Sequence, residues 1–537
     1  MNPLGTPGPT TPPRGPGAPG APGGAGRDGL PADMLPVLGS TGSTPGLLDL
    51  LVAHQHARRL LTLRALLEAV ATAPAGTLPE GTADRVLRDW RLLEAADRAD
   101  SAATRRVVQY PHTGAWAERC LRALTRPGQA HRAAAELPHL AALAAAAAAR
   151  AGLRFTVDVP AYGGELRLPT IGGHRPGRAA GAARCAPGGP GPVGPGGPGG
   201  PVGTGGTRGQ GPGGPAPVPA PVPTVRVVGE PHRLWLLPLP PDGPRPPAPG
   251  PGAVEVREGP DGIWRSAAPG WRPLQALRHP DGRAVLIDDV DPYRDEERRT
   301  NPYGLDLADR LDPAGHAAWR TAWRDARPWL RLGGTTRAQE VAALLDCVVP
   351  LTGAPGAQCS ATRGEAFGAL LSSTPRDGLE LAATLVHELQ HAKLLAVSQL
   401  VVLHTADDAP GYFAPWRPDP RPFDGLFHGA YAHLALADFH LRAATALTDP
   451  ARRDAAWADH CRCREQVGAA LPQLLGARAL TRQGRALATA MAAHHARLAE
   501  HAPPDGHLAR ASAYVETARA IWRRRRAQTA TNGREPA

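Results

Sequence analysis

The segment HELQH, His387 to His391, carries the most legible chemistry in the chain. Two histidines four residues apart on a helix project from one face, with Cβ atoms about 5–6 Å apart. At that spacing two neutral imidazoles chelate one metal ion. Glu388 is turned about 100° around the helix from His387, which sets its carboxylate beside the metal rather than behind it. The same pentapeptide serves zinc peptidases, where the glutamate is the general base.

The surrounding residues predict a long helix. In "SSTPRDGLELAATLVHELQH", Thr374 is the expected N-cap, with Pro375 at the first helical position and Asp377 at the third, and the apolar pattern continues to about His404. The extended signature H-E-x-x-H-x-x-G-x-x-H fails, because Leu394 stands at the glycine position and Val397 at the third histidine. No glutamate occurs from 392 to 464, so a downstream glutamate ligand is not evident. The downstream stretch "YFAPWRPDPRPFDGLFHGAYAHLALADFHLRAA" offers Asp419, Asp424, His428, His433, Asp438 and His440 instead.

Composition narrows the context. Glycine (63) and proline (61) make nearly a quarter of 537 residues, concentrated in 1–45 and 176–222. Such stretches bury too little apolar surface to offset their ordering entropy, and disorder is the expectation for both. The net charge of +11 does not argue for nucleic acid: Lys393 is the one lysine, and arginines are interspersed with acids. The dense run Arg523 to Arg526 reads as a solvated helix end. Six cysteines, with Cys461 and Cys463 as C-x-C, form neither a disulfide framework nor a zinc ribbon. With no apolar leader and no long uncharged apolar run, the expected location is cytoplasmic, away from membranes.

The periodicity predicts an α+β chain, mainly α. Residues 46–152 read as a helical domain and 153–295 as a β-rich region interrupted by 176–222, with a hairpin turning at Gly163-Gly164. Residues 296–525 read as a helical domain bearing HELQH, and 526–537 as a tail. The β-rich region is a candidate for strand addition by a peptide.

"LVHELQHAKL" together with "APWRPDPRPFDGLFHGAYAHLALADFH" resembles the actinobacterial HExxH peptide-modification proteins, regarded as iron- and 2-oxoglutarate-dependent peptide β-hydroxylases. "HQHARRLLTLRALLEA", "YPHTGAWA", "VDVPAYGGELRLPTIG", "LIDDVDPYR" and "FGALLSSTP" extend the resemblance over most of the chain outside the Gly/Pro blocks. The resemblance implies a ribosomally made precursor peptide as partner. It also implies Fe(II) held by His387, His391 and His428, with His433 or Asp424 as substitutes for the third ligand. Open coordination positions at an imidazole site suit Fe(II) and 2-oxoglutarate. A dianionic cosubstrate wants a guanidinium, which makes Arg421 or Arg417 the candidate, unless they simply pair with Asp419 and Asp424. Glu388 then orients a ligand or water. Trp416 and Tyr431 read as core aromatics, Asp291 and Arg294 as structural, and His440 as a helix-face residue. The competing expectation is a zinc peptidase with Glu388 as general base.

Overall fold

The computed structural model describes residues 30, 31, 33–175, 224–239, 249, 250, 252–279, 283–294, 306–353 and 358–532. The expected insertion 176–222 lies outside them. The chain is α+β and mainly α, as its periodicities predict.

The first helices are α1 (Met34–Gly39), α2 (Pro45–Ala71), α3 (Thr82–Ala99), α4 (Ser101–Val108), α5 (Pro111–Thr125), α6 (Ala130–Glu136) and α7 (Leu140–Arg150). The tail expected to reach residue 45 is thus ordered from α1 onward, because Leu35 and Leu38 are apolar enough to bury. α2 starts cleanly: the Thr44 side chain accepts from Leu47 N, and Pro45 occupies the first turn. It serves two cores rather than one helical domain. Leu47, Leu48 and Leu51 join the core around HELQH, whereas Leu63, Leu66 and Val70 join the core of the N-terminal helices. α7, "LAALAAAAAAR", is buried on every side from Leu140 to Ala149, and its methyl groups permit close packing by α3 and β1.

Eight strands come next, in one antiparallel sheet: β1 (Phe155–Tyr162), β2 (Glu165–Leu168), β3 (Gly172–His174), β4 (Thr224–Glu230), β5 (Arg233–Pro238), β6 (Val254–Glu258), β7 (Trp264–Arg265) and β8 (Trp271–Pro273). Their order is β7-β6-β5-β4-β1-β2-β3-β8. The hairpin turns where expected, with φ of 60° at Gly163 and 76° at Gly164, the pair of positive values a two-residue type I′ turn demands.

The main departure from the sequence expectation is a second sheet that runs from the β-rich region into the region read as helical, where three of its strands lie. β9 (Gln275–Arg278) and β10 (Ala284–Ile287) join β11 (Cys347–Leu351), β12 (Ser360–Thr362) and β13 (Ala369–Ser373) in the order β12-β13-β11-β10-β9. β10, β11 and β13 run parallel, and Cys347 pairs with both Leu286 and Ala369. Both faces are covered. Val285, Ile287, Val348 and Leu370 enter the HELQH core, while Val349, Ala369 and Leu371 enter the N-terminal core. A strand buried on both faces is a short continuous apolar run, which periodicity cannot tell from buried helix. The boundary expected near 295 therefore falls within a sheet.

The remaining helices are α8 (Pro313–Ala326), α9 (Thr336–Leu344), α10 (Gly378–Leu400), α11 (Phe423–Ala446), α12 (Pro450–Leu475), α13 (Arg482–Leu498) and α14 (His507–Asn532). α14 extends past the expected tail boundary at 526. No helix among the described residues is long and apolar enough to cross a membrane. The five cysteines among the described residues are free thiols.

Candidate metal centre

α10 carries HELQH, but it starts later than expected. Asp377, not Thr374, is the N-cap, and its carboxylate accepts from Glu380 N at 2.9 Å. Gly378 lies against the backbone of Asp325, where a methyl group would come within 2.2 Å of the carbonyl carbon, so the first turn is seated on α8. The helix ends at Leu400 rather than near His404. It is anchored further by Lys393, whose Nζ donates to Thr41 O, Gly42 O, Ser43 Oγ and Glu340 Oε1 at 2.6–3.1 Å. The HELQH helix is thereby tied to the segment between α1 and α2.

His387 and His391 point the same way, with Nε2 atoms 3.2 Å apart. That separation matches two nitrogens each ~2.1 Å from one cation, seen from it at about 100°. α11, packed beside α10, brings up two more imidazoles. His433 stands edge-on to His387 with ring centroids 5.2 Å apart. His428 stacks on His391 at 5.9 Å. The Nδ1 of His433 is 2.8 Å from Gly429 O, so as the donor it leaves Nε2 bare for a ligand. His428 Nε2 lies 3.7 Å from Asp424 Oδ1, and Asp424 also meets His404 at 3.2 Å.

Burial keeps these rings neutral, the state in which they ligate. It lowers His387 to about 4. Burial and the neighbouring His387 lower His433 to about 3. His391 falls well below the usual range through burial and its three histidine neighbours. His428 falls too, through burial opposed by Asp424. The buried Nδ1 of His387 has no partner. Among the described residues no three His, Cys, Asp or Glu side chains stand together as a complete metal-binding group. Two donors are at chelating separation, and a third imidazole is one ring away on either side.

Glu388 is 3% exposed and sits between β12 and the histidine pair, its Oε1 4.0 Å from His387 Nε2. Ser360 Oγ donates to Glu388 Oε1 at 2.7 Å. Burial pushes the carboxyl up to about 7, against hydrogen bonds from Ser360 and Thr362 that pull it down.

These groups line one cavity of about 860 Å³, bounded by α10, α11, β12 and the loop "WRPDPRP". That loop is pinned at its neck, where Tyr412 and Arg421 exchange backbone hydrogen bonds of 2.9 and 3.0 Å. Arg417 and Arg421 both line the cavity and share Asp419, at 3.2 and 3.5 Å. Asp424 pairs instead with histidines. Arg363 also reaches the wall but is committed to Glu365 and to the carbonyls of Tyr293 and Arg294. Trp416, expected as a core aromatic, lies in the site and stacks on His433 at 4.6 Å and 19°. Tyr431 is core, with Lys393 over its ring. Asp438 pairs with Arg442, and neither it nor His440 lines the cavity. Asp291 is buried and accepts from Tyr293 N, a structural role. Ser360 and Thr362 carry no signal in the sequence: "QCSATRGEAF" has no motif, and their role arises only from the strand pairing beneath α10.

No protein-family model matches the chain, and a search of curated proteins returns no match.

Proposed function

We propose that the chain is an iron- and 2-oxoglutarate-dependent hydroxylase acting at β-carbons of side chains in a ribosomally made precursor peptide. The observation that carries the reading is the convergence, on one cavity, of a chelating histidine pair, two further neutral histidines and two arginines. His387 and His391 supply two ligands, and His433 or His428 the third. An all-imidazole set leaves positions open, which suits Fe(II) better than a closed structural zinc site. When bound, iron with its cosubstrate supplies the oxidising chemistry, and the chain supplies binding and orientation. Arg421 or Arg417 meets the distal carboxylate of 2-oxoglutarate, exchanging Asp419 for the ligand. Trp416 holds the His433 ring flat, and Glu388, tied to Ser360, stiffens the wall behind the ligands. The cavity is large enough for cosubstrate and a peptide side chain together.

A second reading, a zinc peptidase, is favoured by one observation. Glu388 lines the cavity with its carboxyl pushed up to about 7, near the optimum for a general base. Intact-mass analysis of precursor incubated with the protein separates the two. A product heavier by one oxygen that requires iron and 2-oxoglutarate supports hydroxylation. Cleavage fragments that require zinc alone overturn it.

A further inference from the structure

A second cavity, of about 830 Å³, lies beyond the opposite end of the five-stranded sheet. Its floor is the face of β9 and β10 that carries Ala276, Ala284 and Leu286, and its walls come from α2, α4, α7 and the turn before β7. Five arginines surround it, Arg105, Arg106, Arg150, Arg278 and Arg283, together with His56. Among the described residues that line it, two are acids, Asp261 and Asp346.

Part of this charge is spent within the fold. Arg150 donates to Thr170 and approaches Glu258, and Arg278 donates to the Asp261 carbonyl. Arg105 and Arg106, exposed on α4, make no side-chain hydrogen bond or ion pair among the described residues. Burial, with Arg59 and Arg105 adding to it, lowers His56 to about 4, so that it stands in the cavity as a neutral imidazole. Mixed basic walls over an apolar floor suit a ligand that alternates acidic and apolar groups. The volume far exceeds one small anion, and the basic groups come from separate elements rather than one phosphate-cradling loop. Among the described residues that line it the one aromatic is Tyr110, which is buried with its hydroxyl committed to Asp288 and so offers no face to stack a base.

We propose that this cavity binds an acidic, partly apolar segment of the peptide substrate, holding it while another part of the same peptide reaches the histidine site. The identity of the ligand as substrate rests on the peptide-modification reading; the anionic peptide site itself does not. The ligand would be gripped by charge and apolar contact in a cavity rather than by strand addition at a sheet edge.

The test is fluorescence anisotropy with the full chain, free of metal and 2-oxoglutarate, so that its outcome is independent of catalysis. The probe is a fluorescein-labelled peptide of repeating Asp-Leu-Glu-Ala units, with its Asn/Gln counterpart as control. Arg105→Glu/Arg106→Glu is expected to weaken binding about tenfold or more, and the charge-matched Arg523→Glu/Arg524→Glu less than about twofold. Circular dichroism of both variants checks folding. Equal weakening by the two pairs, equal binding of the neutral peptide, or no binding at all overturns the proposal. So does displacement by equimolar inorganic pyrophosphate, which would assign the cavity to small polyanions. Loss of hydroxylation with binding intact would instead overturn the proposed function and leave this site standing.

Discussion

Gly429 lies directly beneath the indole of Trp416: a methyl group on its Cα would come within 2.2 Å of the ring carbon Cζ2. The same indole covers His433. The absence of a side chain at 429 is thus what lets the tryptophan lie flat on α11 and hold a histidine in place. Gly429→Ala should displace Trp416, at a cost of about 1–3 kcal/mol from overpacking. Expected are weaker iron binding and a shifted tryptophan emission with far-UV circular dichroism unchanged. Unaltered emission and iron affinity would remove Trp416 from the site.

The ligand set is tested by metal content. His387→Ala and His391→Ala should each lose more than the ~100-fold in iron affinity that outer partners cost. Of His428→Ala and His433→Ala, one should match that loss while the other keeps iron. If both keep it, a three-histidine centre is untenable.

Arg421 and Arg417 are separated by steady-state kinetics. Loss of a charge-assisted contact to the distal carboxylate should raise the KM for 2-oxoglutarate about 10- to 100-fold, with a smaller change in kcat. The variant showing this split identifies the anchor. Should Arg421→Ala and Arg417→Ala both leave KM unchanged, the cosubstrate is held elsewhere.

How much of the fold and the site is legible in the sequence depends on how local each signal is. HELQH is read directly because a spacing of four along one helix puts both rings on one face, whereas His428 and His433, five apart on α11, are brought to that pair only by the packing of α11 on α10. The Gly163-Gly164 turn is equally local, since both positions need positive φ. β11 and β13 escape detection because "CVVPL" and "ALLSS" are apolar on both faces and show no alternation. The start of α10 is ambiguous because Thr374-Pro375 and Asp377 are both good helix starts. The choice between them is made by the seat that Gly378 takes on Asp325, a contact across more than fifty residues of sequence. Ser360 and Thr362 belong to the same class: their role comes from a strand that pairing with β13 places beneath α10.

Acid stability should report the buried cluster that ties α10 to the N-terminal segment. Burial would raise the Glu340 carboxyl, but Lys393 and Arg337 prevail and hold it at about 2, below its ordinary 4.5. A carboxyl with a depressed folded pKa adds stability above its unfolded value, lost as pH falls through the folded one. Glu340→Gln should therefore cost about 3–5 kcal/mol at neutral pH in chemical denaturation. The difference from wild type should shrink as pH falls from 4.5 toward 2. A pH-independent difference would refute the ionic role.

Residues 176–222 can be replaced, but not simply excised. They join β3 to β4, which β1 and β2 separate in the sheet, a span of three strand spacings or ~14 Å. A Gly/Ser linker of about six residues should leave folding and metal content intact. Loss of either would show that the segment takes part in the fold.

Lys393 has a practical consequence. It is the one lysine in the chain, and its side chain is wholly buried with four hydrogen-bonded partners. The folded protein therefore presents no lysine amine to an acylating reagent, and lysine-directed coupling will not label its folded surface. Acylation at Lys393 instead becomes a chemical clock. It proceeds only when α10 parts from the segment between α1 and α2, so its rate counts the openings of the very helix that carries the histidines.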